Sequence, residues 1–162
     1  MAKISKIMVT NVPTLEKEAK IEDAVKLLSQ NDCGCVVVVK NGRPLGIVTE
    51  LDIVRFAATK SVNLKRPISA VMTSPVTSMT PNTRVDEALK LIDTKRFRRY
   101  PVVEDNKLVG LVTQKDVVNA VSDNMRFHRN IQNFVLIIFV LFELFIFVFY
   151  RYFPIFTYLG LT

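Results

Sequence analysis

The spacing of apolar and polar positions changes period several times along residues 1–122, and each change marks an element. Ile21, Ala24, Val25 and Leu28 recur at helical spacing, as do Val85, Ala88, Leu89 and Ile92. The pairs Glu22/Lys26 and Asp86/Lys90 stand four apart with the acid first, the favourable sense on a helix. Thr83 with Asp86 reads as the capping start of the later helix. Cys35-Val36-Val37-Val38-Val39 has no alternation at all, so it predicts a strand covered on both faces. Asn41-Gly42 is a hairpin turn, and Leu45 to Val48 is the returning strand. A similar set follows in Tyr100-Pro101-Val102-Val103, a turn at Asp105-Asn106-Lys107, and Leu108 to Val112. Short extended lead-ins are expected at Ile7 to Val12 and at Val71 to Ser78, and further helices from Glu50 and Gln114.

These two sets are copies. Shifted by 64, residues 7–58 fall on 71–122 without a gap, and twelve of the 52 pairs are identical, among them Gly46/Gly110, Thr49/Thr113 and Asp52/Asp116. Ordinary residue usage would give roughly three by chance. Each copy has the order β-α-β-β-α. The expected division is a first repeat over 1–60, a polar and basic linker over 61–70 with Pro67, a second repeat over 71–123 and a hydrophobic tail over 124–162.

The repeated stretch with the most chemistry is Gly46-Ile47-Val48-Thr49-Glu50-Leu51-Asp52, which returns as Gly110-Leu111-Val112-Thr113-Gln114-Lys115-Asp116. Glycine admits another backbone close by. Thr-x-x-Asp sets a hydroxyl and a carboxylate in the first turn of a helix, where free N–H groups point outward and favour a phosphate. An isolated copy reads as a capping box, with threonine as N-cap and aspartate at N3. Its repetition shifts the balance towards a ligand site.

Composition narrows the partners. The net charge is +7 and the isoelectric point about 9.6, which favours anions: phosphates, nucleic acid or acidic lipid. Cys33 and Cys35 form neither a disulfide framework nor a metal set, and read as small buried hydrophobes. His128 has no partner cluster, and the N-terminus shows no apolar signal-peptide core. No P-loop, Gly-x-Gly-x-x-Gly, nucleophile with a histidine base or metal cluster is present in the sequence. A catalytic function is not expected, nor a required cofactor.

Taken in order, Val71-Met72, Pro75-Val76, Arg98-Arg99-Tyr100-Pro101-Val102-Val103 and the two Gly-x-x-Thr-x-x-Asp segments resemble a cystathionine-β-synthase (CBS) domain pair, or Bateman module, over about residues 5–122. The fold class implied is α/β (α+β): two repeats in a pseudo-two-fold pair, with two clefts between them and often a disc-like homodimer. The implied function is a non-catalytic regulatory module that binds AMP, ADP, ATP or S-adenosylmethionine and signals to a partner. Carried over residue by residue, Asp52 and Asp116 would accept from ribose hydroxyls, and Thr49 and Thr113 would donate to a phosphate. Ile47 and Leu111 would flank the base, beside the backbone of Val12 and Val76. Arg98 and Arg99 would meet phosphate through their donor forks, with Lys115 in the same role. Their counterparts in the first copy are Gly34 and Cys35, and Lys115 answers to Leu51, so the two clefts are expected to be unequal. The rivals are a nucleic-acid-binding module, with Phe97 and Tyr100 as stacking candidates that more readily suit the core, and an assembly module with empty clefts.

The tail is a different material. Eight of eleven phenylalanines fall between Phe134 and Phe156, and fifteen of the seventeen residues from Phe134 to Tyr150 are Phe, Leu, Ile or Val. Summed on an insertion scale they favour the bilayer by about 7 kcal/mol, against about 3 kcal/mol for Glu143. A helix over about 131–153 is expected to be transmembrane or membrane-associated, with the repeats in the cytoplasm and a membrane protein, such as a transporter, as partner. Its alternatives are a helix exchanged into a homo-oligomer, a segment lying on the membrane, or a buried helix of a soluble cytoplasmic protein.

Overall fold

The computed structural model describes residues 2–30, 34–58, 62–95 and 97–152. Cys33, Arg96 and the end of the expected tail helix lie outside them. The first copy comprises β1 (Thr14–Glu16), α1 (Ile21–Gln30), β2 (Cys35–Lys40), β3 (Arg43–Thr49) and α2 (Glu50–Ala57). The second comprises α3 (Val85–Lys95), β4 (Arg99–Glu104), β5 (Lys107–Thr113) and the start of α4 (Gln114–Tyr152). Strands β1-β2-β3 form one sheet and β4-β5 another, with both hairpins antiparallel. The mixed α/β class and the tandem plan are as expected. The chain divides into a compact unit over Met1–Val121 and a second over Ser122–Thr162.

Both hairpins turn on two residues with positive φ, Asn41 (53°) and Gly42 (78°) in one, Asp105 (48°) and Asn106 (63°) in the other. Both positions of a type I′ turn demand this, and Asn, Asp and Gly tolerate it best. The unbroken valine run of β2 is buried on both faces for two reasons. Val36 and Val38 pack under α1 with Ala24, Leu28 and Val48. Cys35, Val37 and Val39 pack the other way, with Ile47 and with Leu111 of the second copy. One face therefore closes the repeat and the other closes the pair. In the second copy Tyr100, Val102 and Val112 pack with Ala88 and Ile92 of α3.

The lead-ins differ from expectation. Between Ile7 and Val12 the only ladder contact is a bridge from Val9 to Leu111, and the strand of the first copy lies later, at Thr14–Glu16. Val71 to Ser78 likewise makes a single bridge, from Thr73 to Ile47. Each lead-in has crossed to the other copy. Ile4 is buried with Val85, Ala88 and Tyr100, and Ile68 is buried with Ala24, Val36 and Val48. The crossing also supplies the helix starts. Val85 N–H donates to Ala2 C=O at 3.0 Å, and Ile21 N–H donates to Arg66 C=O at 3.0 Å, so orphan donors of α3 and α1 are satisfied from the opposite copy. Ile68 N–H reaches Ala19 C=O at 2.8 Å. The segment between the copies is thus docked, not a free tether, over its residues 64–70.

Glycine is required where the lead-ins cross. A Cβ on Gly46 would stand 2.6 Å from Met72 Sδ and 3.1 Å from Thr73 C=O; one on Gly110 would stand 2.9 Å from both Met8 Sδ and Val9 C=O. The expected Thr83–Asp86 cap of α3 is not formed. Thr83 Oγ1 accepts from Thr80 N–H instead, the Glu87 carboxylate takes Arg84 N–H, and Asp86 pairs with the Arg84 guanidinium at 3.0 Å. The helix begins two residues after Thr83, too late for that threonine to reach its first turn.

From Ser122 the second unit is helical to Tyr152. Within Arg129–Arg151 the most apolar 18-residue window has a mean hydropathy of 2.6, and none of that window is buried. With no proline or glycine before Pro154, nothing interrupts the helix that starts at Gln114, so the expected separate tail helix is the continuation of α4.

Candidate functional site

Both Thr-x-x-Asp steps are built as capping boxes. Asp52 Oδ2 accepts from Thr49 N–H at 2.8 Å and from Thr49 Oγ1 at 2.7 Å, while Thr49 Oγ1 accepts from Asp52 N–H at 3.3 Å. Asp116 and Thr113 repeat this at 2.9, 2.7 and 3.2 Å. In each box the threonine hydroxyl gives its one hydrogen to the aspartate. Only one carboxylate oxygen is used, so Oδ1 keeps its acceptor capacity. The capping reading is therefore correct for both copies, and it leaves half of each carboxylate open.

What differs is where the boxes face. A cavity of about 390 Å³ is lined by Ile47, Thr49 and Asp52 of the first copy and by Phe97, Arg98 and Arg99 of the second. Gly34, Glu50, Leu51 and Thr73 complete it. The arginine pair thus lines the same cavity as Asp52. A second cavity, about 500 Å³, lies on the other side of the same arginines and includes Thr113, Gln114 and Lys115. Neither Asp116 nor Leu111 lines it. Leu111 is 1% exposed, packed with Ile47 and Val37, and Val12 and Val76 rest against that cluster. Val76 also borders a separate gap between the two hairpin turns. Nine of the ten residues singled out from the sequence thus divide between one well-furnished cavity, a basic neighbour and the seam that joins the copies, while Asp116 lines neither cavity and is not part of the seam cluster.

Arg99 reaches the first cavity because Gly34 leaves room. Gly34 has φ +61°, and a Cβ there would stand 2.9 Å from Arg99 Nη2. Arg99 Nε is buried and makes no hydrogen bond among the described residues. Arg98 is exposed, and its carbonyl accepts from Gln114 N–H at 2.9 Å, which holds the backbone of the pair. Phe97 is 41% exposed at the cavity, edge-on to Tyr100 with centroids 6.4 Å apart. It is not a core residue as expected; Tyr100, fully buried, is. Burial pushes the Tyr100 phenol pKa up. Glu50, Gly34 and Thr73 escaped the sequence reading. The signal for Gly34 was available in its position immediately before a buried strand and opposite an arginine in the other copy.

Two docked copies with crossed lead-ins, each ending in a Thr-x-x-Asp cap beside the seam, define a tandem pair of one domain type. The chain belongs to the CBS-domain family: the CBS domain profile matches residues 4–59 and again 68–123. It is 32% identical over 124 residues to the CBS domain-containing protein YhcV of Bacillus subtilis, covering 76% of this chain and 89% of that one. Its fold is similar to that of CBSX2, solved in complex with AMP, with a TM-score of 0.66 and 21% identity over 77% of this chain and 99% of the other. It is also similar to the CBS domain pair of MJ0100, solved with 5′-methylthioadenosine and S-adenosyl-L-methionine, with a TM-score of 0.67 and 24% identity over 76% and 98%.

Proposed function

We propose that this chain is a non-catalytic regulatory module that takes an adenine nucleotide, or a related adenosyl compound, into the cavity between Asp52 and the Arg98–Arg99 pair. One observation carries the reading: a ribose acceptor from one copy and phosphate donors from the other share a single cavity of about 390 Å³, a volume suited to a small-molecule ligand. Asp52 Oδ1 accepts from the ribose hydroxyls, and Thr49 acts through Asp52 as a positioning residue. Arg98 and Arg99 supply the phosphate contacts through their guanidinium donors. Ile47 and Phe97 bound the space for the base. That CBSX2 was solved with AMP, and the MJ0100 pair with adenosyl compounds, supports the ligand class. Binding across the seam biases how the copies pack, and this is the signal a partner reads. Calorimetric titration of the full chain with AMP, ADP, ATP and S-adenosylmethionine tests the reading, and no heat or thermal shift with any of them removes it.

The exposed stretch Arg129–Arg151 attaches the module to a membrane in the same proposal. Its 23 residues rise about 35 Å at 1.5 Å each, against a hydrocarbon thickness of about 30 Å. A helix with apolar side chains on every face and none buried needs a cover, and lipid covers all faces at once. Retention in the membrane fraction through alkaline carbonate washing is expected; release of the intact chain would instead assign the helix to contact with other protein, a second copy included.

A further inference from the structure

Resting on that reading, we propose that Glu50 sets which phosphate chain the cavity accepts, favouring a ligand with one phosphate or none over a polyphosphate. Four charged side chains line the cavity: Arg98 and Arg99 on one side, Asp52 and Glu50 on the other. Asp52 is held in its capping box, but Glu50 makes no hydrogen bond or ion pair with any described residue. Its carboxylate nonetheless stands near the arginine. Glu50 Oε2 lies 3.9 Å, and Arg99 Nη2 2.9 Å, from one and the same point, where a Cβ on Gly34 would stand. A free carboxylate therefore overhangs the gap in which the guanidinium presents its donors. One phosphate placed on the arginines is opposed by Glu50 in addition to the capped Asp52. Each further phosphate adds negative charge to a space whose lining is already balanced, and the repulsion grows with it.

The duplicated copy shows the same scaffold without this feature. Gln114 stands where Glu50 does, and Lys115 where Leu51 does. The cavity they line uses the same two arginines and has no carboxylate among its lining residues. The acid at position 50 is thus particular to the cavity that holds Asp52.

The test is calorimetric titration of the detergent-solubilised full chain and its Glu50→Gln and Glu50→Ala variants with AMP and with ATP. Glu50 is exposed at the first position of α2, and far-ultraviolet circular dichroism and melting confirm that each variant is folded. ATP affinity is expected to rise about fivefold or more in both variants, the scale of removing one nearby charge, with a smaller rise for AMP, so that the ATP/AMP affinity ratio increases. The gain is expected to vanish when Asp52→Ala is added to Glu50→Gln. An unchanged ATP/AMP ratio, with AMP still bound, overturns the role of Glu50 and leaves the binding site standing. A gain that survives Asp52→Ala places polyphosphate beside Lys115 and also overturns it. Failure of the parent to bind either nucleotide overturns this inference, and it removes the proposed function as well only if ADP and S-adenosylmethionine also fail to bind.

Discussion

Asp52 and Asp116 make the same hydrogen bonds, so replacing each with alanine separates structural from ligand roles. Each carboxylate accepts from its threonine N–H and hydroxyl, at 2.8 and 2.7 Å for Asp52 and at 2.9 and 2.7 Å for Asp116. Both are half-buried, so water replaces the lost acceptor only in part. Loss of a helix-start cap of this kind costs about 1–2 kcal/mol. For a chain of this size that is a fall in Tm of roughly 2–8 °C, and the two variants should agree within about 0.5 kcal/mol. Their ligand responses should not agree. Asp52 lines the cavity that holds the arginines, and Asp116 lines none of the cavities described above. AMP at about 100 times its Kd adds about 2.7 kcal/mol of stability. That increment is expected intact in Asp116→Ala and absent from Asp52→Ala, read by differential scanning fluorimetry over a nucleotide series. If Asp116→Ala loses the increment while Asp52→Ala keeps it, the assignment of the cavity is wrong. If neither substitution lowers Tm, the capping geometry has been given too much weight.

Three further substitutions probe the frame around the cavity. Gly46→Ala trades a backbone-entropy gain of about 0.5–1 kcal/mol against overpacking onto Met72 and the Thr73 carbonyl, which costs about 1–3 kcal/mol; net destabilisation in urea is expected, and a variant as stable as the parent refutes the close crossing. Gly34→Ala forces an L residue to φ +61°, at a cost of about 1–2 kcal/mol, and should also weaken AMP binding by displacing Arg99, so unaltered affinity would count against that arginine. Tyr100→Phe removes a buried hydroxyl that has no hydrogen-bond partner among the described residues, so stability should hold or rise by up to about 1 kcal/mol. Burial raises the Tyr100 pKa, so the folded chain keeps that proton longer than the unfolded one. Its contribution is complete below the unfolded value of about 10 and is lost above it, and the phenylalanine variant should show a shallower alkaline fall in urea-derived stability.

The copies, hairpins and capping boxes were legible because each is written in residues close together. Asn41-Gly42 and Thr49-x-x-Asp52 define local geometry with almost no help from the rest of the chain. The 64-residue shift made each such sign count twice. The crossing of the lead-ins was not legible in the same way. Val9 pairs with Leu111, and Val85 N–H at the start of α3 donates to the Ala2 carbonyl; no local period records a partner that distant. Ile4 and Ile68 also stand 64 apart and play the same part, each buried in the opposite copy. The Thr83 cap failed because the motif fits any nearby helix start, while the start itself was set by Ala2 and Arg84. Phe97 was misplaced in the core because composition treats every aromatic alike, whereas its position just before β4 leaves this one at the cavity wall.

The positions where the copies agree and differ tell how one skeleton acquired unequal cavities. Gly46/Gly110, Thr49/Thr113 and Asp52/Asp116 are retained, and each does a structural job that both halves need: close crossing or capping. Among the positions where the copies differ are Gly34/Arg98, Cys35/Arg99, Glu50/Gln114 and Leu51/Lys115, and all of these but Cys35 line one or both of the two cavities beside the arginines. Charge has therefore diverged where the fold does not depend on it. Because the lead-ins cross, the arginines of one copy face the aspartate of the other, and a substitution in either half changes the cavity they share. An exchange that moves the charges across, with Gly34→Arg and Cys35→Arg added and Arg98→Gly and Arg99→Cys removed, should carry AMP binding from Asp52 to Asp116 if the skeleton is as two-fold as its hydrogen bonds. Gly34 and Cys35 are the obstacles: the φ of +61° at Gly34 must be given up at about 1–2 kcal/mol, and Cys35, 1% exposed in the seam core, must make way for a charge, so the exchanged chain should fold several kcal/mol less stably. Binding that stays dependent on Asp52 after the exchange would show that the arginines are not what distinguishes the two cavities.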